Sequence, residues 1–371
     1  MVFGSGDRAW TKQPETLWLV RFLALPLWLE MISDAPAMIM ARELQFAEIG
    51  VIEVIAQLAN YGLSIPLVLA GKGYWAPVLG LTLQQLLNAI LFWRAQPIPF
   101  RPTWTRACMV PVLRNGIAYT GSDLIISLRA LTVPLLVSRL AGVEAVGIIS
   151  IAIRFAEQLS TLRQVLNQMS LSVLAKFTEQ PEKIRNALSQ GMVYQVLLVA
   201  PACAVFSCAA SWLIPLLFGD EWLMSTRIFP LVAMGVMMSA TFELHANALY
   251  AAAKNREVAL FNAGFITLQW SAALVALPIL GAWGYGLAEL ATAPSYGILH
   301  YNFSQLYGSP NYKNALTLIA ATLPALLAGP WIPVWMGLLL LGGCYGLAIA
   351  LNPELRDQLQ EALSVLKKRR A

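Results

Sequence analysis

The sequence predicts an all-α, polytopic membrane protein, a transmembrane helix bundle of about eleven spans, and three observations carry that prediction. Of its 371 residues 58% are apolar and 12% charged, more apolar surface than the core of a soluble domain can hide. The apolar residues gather in runs near the ~20 residues that a helix needs to cross the hydrocarbon. Sixteen of the twenty-five Lys and Arg residues occupy alternate gaps between those runs. Positive charge is retained on the cytoplasmic side, so this alternation predicts orientation as well as class.

The expected spans are 16-40, 47-70, 74-94, 112-137, 146-174, 187-216, 225-252, 258-280, 284-306, 315-331 and 333-351. The basic gaps hold Arg42, then Arg94, Arg101, Arg106 and Arg114, then Lys176, Lys183 and Arg185, then Lys254 and Arg256, then Lys313. Arg356, Lys367, Lys368, Arg369 and Arg370 follow the last span, whereas the intervening gaps hold only Lys72, Arg139 and Arg227. The C-terminus is therefore expected in the cytoplasm. An odd span count puts the N-terminus outside, where Arg8 and Lys12 fit poorly. Trp75, Trp222, Trp283 and Trp331 fall at outer span ends, as an interfacial belt requires.

The expected organisation is an extracytoplasmic segment 1-15, three spans in 16-94, a basic linker 95-111, six spans in 112-306, two further spans in 307-351 and a basic tail 352-371. Pro353 suits the first turn of a short surface helix in that tail, and its terminal cations suit the inner leaflet.

The net charge of +5 comes from short loops and the tail, where anionic headgroups rather than nucleic acid are the natural neighbours. Cys108, Cys203, Cys208 and Cys344 show no CxxC spacing and sit in or beside apolar runs, so they read as small buried residues rather than disulfides or a zinc site. There is no Walker A loop, GxSxG or HExxH, and no loop long enough to fold alone. No enzymatic site, cofactor or metal is expected.

A charge at the bilayer centre costs ~2.5–3.5 kcal/mol on insertion scales, so each one inside a span demands a cavity, a partner or an interface. Arg154, Glu157, Gln158, Thr161, Gln164 and Gln168 recur at three- and four-residue steps and fall on one face of span 146-174. The stripe reads either as the wall of a water-filled cavity or, blandly, as an Arg154–Glu157 pair one turn apart. Six polar positions exceed what a neutral pair needs, which favours the cavity. Arg163 projects from another side of this helix.

Span 112-137 adds Ser122, Asp123, Ser127 and Arg129. Asp123 and Arg129 lie ~120° apart and cannot pair along the helix, so each is expected to meet another helix. Arg129 is a candidate for an anionic ligand or for a salt bridge to Glu157 or another acid. Glu243 and Asn247 are one turn apart with His245 pointing across, and Glu30 and Asp34 are one turn apart near Pro26. Glu30, Asp34, Glu243 and His245 are the candidates for coupling to a proton or cation; hydrogen-bonded packing is the alternative for His245. Glu53 with Gln57, and Glu289 alone in its helix, are weaker candidates.

The run Pro36-Ala37-Met38-Ile39-Met40-Ala41-Arg42-Glu43-Leu44-Gln45-Phe46, followed by Gly71-Lys72-Gly73-Tyr74-Trp75-Ala76-Pro77-Val78, resembles bacterial polysaccharide flippases of the Wzx type. These belong to the multidrug/oligosaccharidyl-lipid/polysaccharide exporter superfamily. Ser138-Arg139-Leu140-Ala141-Gly142 with Val146-Gly147 and Arg154-Phe155, Leu216-Leu217-Phe218-Gly219-Asp220-Glu221-Trp222, and Trp283-Gly284-Tyr285-Gly286 extend the similarity along nearly the whole chain.

The resemblance implies fourteen helices in two six-helix lobes plus two, around a cavity that opens alternately to each side. On that plan the eleven spans correspond to helices four to fourteen, a two-lobed flippase fold with an incomplete first lobe. The implied substrate is an undecaprenyl-diphosphate-linked oligosaccharide, moved across a bacterial cytoplasmic membrane, with Arg154 and Arg129 facing its anionic linkage. Membrane lipids and polysaccharide assembly proteins are the implied partners. A drug/cation antiporter of the same superfamily, a lipid II flippase and a non-transporting remnant are the alternatives. Membrane glycosyltransferases and polymerases fit less well, because the extracytoplasmic loops are short.

Overall fold

In this computed structural model the described residues are 14–43, 45–73, 75–98, 105, 109–110, 113, 127–161, 163–164, 167, 170, 174 and 180–368, with side chains between residues 21 and 360 of these. Arg8, Lys12, Arg101, Arg106, Arg114, Lys176, Arg369, Arg370, Cys108, Ser122, Asp123 and Gln168 lie outside the described residues, as does most of 112-137. The chain divides into two compact units, Met1–Met109 and Val110–Ala371. All regular elements among the described residues are helical. Eight of them are long and apolar enough to cross a membrane.

The first unit contains α1 (Pro14–Arg42), α2 (Phe46–Leu69) and α3 (Trp75–Ala95). Few apolar side chains are shared between these helices: Met40, Ile52 and Phe92 form a small core, while Trp28, Met31, Val51 and Leu58 are exposed, as suits helices surrounded by lipid rather than water. Polar groups tie α2 to α3 instead. Gln84 donates to Gln57 at 2.9 Å and accepts from Asn60 at 2.8 Å, and the Ser64 hydroxyl donates to the Ala76 carbonyl at 3.3 Å. Where no water competes, such interhelical bonds contribute ~0.6–2 kcal/mol each.

In the second unit the described helical residues 127–130 lead into a π-helical segment Thr132–Val137 and a turn Ser138–Leu140. It continues through α4 (Gly142–Leu159), α5 (Pro181–Phe218), α6 (Leu223–Ala251), α7 (Asn255–Leu280), α8 (Ala282–Leu290), α9 (Tyr296–Tyr307), α10 (Lys313–Ala328), α11 (Val334–Leu351) and α12 (Pro353–Lys368). Helices α5 and α6 carry the core, with Met192, Val196, Ile214, Ile228, Phe229 and Met237 buried. Phe206 stacks on Phe155 at 4.5 Å and meets Phe229 edge-on at 4.7 Å, geometries that the ring quadrupoles favour.

The expected span 284-306 is two helices rather than one. Helix α8 stops at Leu290, a short 3-10 turn covers Ala293–Ser295, and α9 starts at Tyr296. Pro294 lacks the N–H that a continuing helix needs. Two buried hydroxyls help satisfy the break: Thr292 donates to the Glu289 carbonyl at 2.6 Å and Ser295 to the Thr292 carbonyl at 2.7 Å. Irregular backbone at membrane depth survives only with such internal partners or beside a cavity. Within the Trp283–Gly286 motif, Gly284 lets α8 touch the end of α7, since a Cβ there would lie 2.5 Å from the Ala276 carbonyl.

The tail helix α12 packs back on the bundle. Leu355 is fully buried, Asn352 donates to Asn314 at 2.8 Å, and Asn314 donates to Gln358 at 3.0 Å. Cys203 and Cys208 are buried free thiols, whereas Cys344 is half-buried, on a helix whose apolar face is largely exposed.

Candidate functional site

Two adjoining cavities of the second unit share part of their wall. The larger, ≈ 690 Å³, lies between the π-helical segment, α4, α6 and α8, and Arg129, Arg154, Glu157, Gln164 and Glu289 provide its charged and amide lining. The smaller, ≈ 260 Å³, lies among α6, α7, α9 and the residues beyond α4, with Asn167, Glu243, Asn247 and Asn262 on its wall. Arg129, Arg163 and Ser239 line both. Along α6 the combined lining runs from Val232 to Tyr250, which at 1.5 Å per residue is ~27 Å, close to the ~30 Å of a bilayer's hydrocarbon.

The wall of the larger cavity is fixed by a chain of polar contacts. Arg129 pairs with Glu289 at 2.6 Å, and Gln269 donates to the second Glu289 oxygen at 2.6 Å. The Thr132 hydroxyl donates to Gln269 at 3.2 Å and accepts from the Trp270 indole at 3.0 Å. The Arg129 guanidinium also lies 4.3 Å above the Phe265 ring, a cation–π contact. Both oxygens of a carboxylate that is almost wholly buried are thus occupied, as a charge out of water requires. Room for that carboxylate comes from Gly235, where a Cβ would lie 2.6 Å from Glu289 Cγ.

A second ion pair joins Arg163 to Glu243. Arg163 is buried and its Nε has no hydrogen-bond partner among the described residues. Asn247 donates to the Asn167 side chain at 2.7 Å and to Ser170 at 2.8 Å, holding α6 against the helical residues past Ser160.

The structure brings Arg129, Arg154, Glu157 and Gln164 together on one cavity and puts Glu243 on the other. Gln158 and Thr161 are exposed and line neither, and Gln168 lies outside the described residues. The face presented to the cavity also includes Val146, Ser150, Ile153 and Ser160, a stripe rotated by about 70° from the one that polar residues alone define. That rotation brings in Arg163, which the sequence placed on another side. The Arg154–Glu157 pair is absent among the described residues; the ion pairs here are Arg129–Glu289 and Arg163–Glu243.

His245 is fully buried outside both cavities. Its Nε2 lies 2.6 Å from the Tyr312 hydroxyl, and His300 Nδ1 reaches the same oxygen at 2.8 Å. Burial pushes the Tyr312 phenol up, so it stays protonated between the two imidazoles. Glu30 and Asp34 are exposed on α1 of the first unit, as is Glu53, while Gln57 joins the Gln84 network.

Sequence reasoning ranked Glu289 low and Arg163 outside the site. A lone acid in an apolar helix was the available signal for Glu289. For Arg163 it was the spacing Ser160–Arg163–Asn167, three and four residues apart.

A polytopic helical fold is what this arrangement defines: a solved chain described as lipid II flippase MurJ in its inward closed conformation superposes with a TM-score of 0.60 at 10% identity, covering 90% of this chain and 73% of that one. The polysaccharide biosynthesis protein family profile matches residues 9–227, and the chain belongs to that family. Among relatives, the lipopolysaccharide biosynthesis protein WzxC of Escherichia coli (strain K12) is 23% identical over 326 residues, 85% of this chain and 63% of its own. The teichuronic acid biosynthesis protein TuaB of Bacillus subtilis (strain 168) is 20% identical over 75% of this chain and 59% of its own. The succinoglycan biosynthesis transport protein ExoT of Rhizobium meliloti (strain 1021) is 22% identical over 60% and 45%. The chain thus spans less than two thirds of each of these relatives.

Proposed function

We propose that the chain moves a lipid-linked oligosaccharide, joined to its polyprenyl carrier by a diphosphate, across a bacterial cytoplasmic membrane by alternating access, with its C-terminus inside. The observation that carries this reading is Arg154. It lines a ≈ 690 Å³ cavity, while the neighbouring cations Arg129 and Arg163 are each held by a carboxylate and Arg154 forms no ion pair among the described residues. A cation left available in a membrane-depth cavity is a site for an anion, and a diphosphate is the anion that such a lipid carries. Glu157 and Gln164 beside it supply acceptors and an amide for neighbouring hydroxyls.

The larger cavity is lined by Arg129, Arg154 and Arg163 and by Glu157 and Glu289; with Arg129 held by Glu289 and Arg163 by Glu243, Arg154 is the cation left to meet an anion. The broken helix α8–α9 supports alternating access as well, because discontinuous helices border the substrate sites of many transporters. Complementation of a flippase-deleted strain tests the proposal: surface glycan is restored by the chain and not by Arg154→Ala. Restoration by neither, with a full-length relative restoring it, contradicts the proposal.

A further inference from the structure

We infer that the smaller cavity is a monosaccharide subsite, selecting the first sugar of the glycan while the larger cavity holds the diphosphate. This rests on the transport reading of the larger cavity and names what the adjoining space recognises.

Three features distinguish the smaller cavity. Its two cations are already neutralised, Arg163 by Glu243 and Arg129 by Glu289, so it offers no net attraction to a phosphate. Beside those ion pairs its polar wall carries carboxamides and a hydroxyl, Asn167, Asn247, Asn262 and Ser239, which act as donors and acceptors at once and so match sugar hydroxyls. The Asn262 amide makes no hydrogen bond among the described residues, and the Nε donor of Arg163 has no partner among them. The apolar wall combines Ala246, Val258 and Leu299 with aromatic rings: Phe261 and Tyr296 lie 5.3 Å apart, and Ser239 holds the Tyr296 hydroxyl at 3.0 Å. Flat apolar rings beside convergent amides suit a pyranose, one face of which presents C–H groups.

Size and position agree. The ≈ 260 Å³ volume falls just below the ~300–1,000 Å³ of pockets for drug-sized ligands, which is room for a sugar ring and not for a chain of them. Shared walls at Arg129, Arg163 and Ser239 put this space next to the diphosphate cavity, as the covalent link between diphosphate and first sugar requires.

The test is binding of two probes to the purified full chain in nanodiscs: a short polyprenyl diphosphate, and the same diphosphate bearing one N-acetylhexosamine. The wild-type chain binds the sugar-bearing probe at least about fivefold more tightly, the worth of one neutral hydrogen bond. Asn262→Leu and Phe261→Leu each reduce that preference below about twofold and leave the sugarless probe unchanged, which also reports an intact fold. Equal binding of both probes by the wild type overturns the subsite and leaves the diphosphate cavity standing. A preference retained in both variants overturns it too, as does loss of both probes together in both. A wild-type chain that binds neither probe overturns the subsite and the transport reading alike.

Discussion

Arg129 and Glu289 meet at 2.6 Å across 160 residues of sequence, and Glu289 is the last acid before the helix breaks at Ala293–Ser295. The pair therefore joins the helical residues just before the π-helical segment to the broken helix and forms one wall of the larger cavity. Breaking a buried pair from one side costs more than removing both partners, because the remaining charge stays out of water.

Arg129→Ala should lower stability by about 2–3 kcal/mol, less than the ~3–5 kcal/mol of fully buried pairs because the Arg129 side chain is 44% exposed. Arg129→Met with Glu289→Gln should recover most of it. Thermal unfolding in detergent reads both, and a double variant no more stable than Arg129→Ala contradicts the pairing.

Gly235→Ala puts a methyl group 2.6 Å from Glu289 Cγ. Overpacking of that kind costs ~1–3 kcal/mol. The same variant should weaken transport through the displaced carboxylate, and Glu289→Ala in the Gly235→Ala background should gain back stability relative to the sum of the two single changes.

Tyr312→Phe removes the oxygen that both His245 and His300 reach. A buried imidazole nitrogen left without its partner costs ~1–3 kcal/mol. His245→Phe in that background should be less damaging than in the wild type; additive losses in unfolding midpoint argue against the shared hydroxyl.

The tail should be held by Leu355 and the Asn352–Asn314–Gln358 contacts rather than by Lys313 and Glu354, whose side chains are 61% and 60% exposed at 3.6 Å. Leu355→Ala should raise hydrogen exchange throughout α12. Lys313→Ala should change stability by less than ~1 kcal/mol and leave that exchange unaltered.

Helix positions were largely legible because apolar runs have a length scale: the expected 187-216 and 258-280 lie inside α5 and α7, and 225-252 overruns α6 by one residue. The break after Leu290 was not, since prolines are tolerated in membrane helices and Pro294 looked no different from Pro278. Periodicity marked Arg154, Glu157 and Gln164 as neighbours, and it rotated the face because Ser150, Ile153 and Val146 also line the cavity. Arg129–Glu289 and Arg163–Glu243 are tertiary contacts 160 and 80 residues apart. A periodic pattern within one helix carries no information about either.

Leaflet transfer of a fluorescent diphosphate-linked oligosaccharide in vesicles holding the full chain tests the central claim most directly, with Arg154→Ala measured alongside. The account predicts transfer above empty vesicles that falls at least tenfold in Arg154→Ala, a loss of ~1.4 kcal/mol or more, at unchanged thermal stability. Transfer no faster than in empty vesicles, or equal transfer with and without the Arg154 guanidinium, contradicts it.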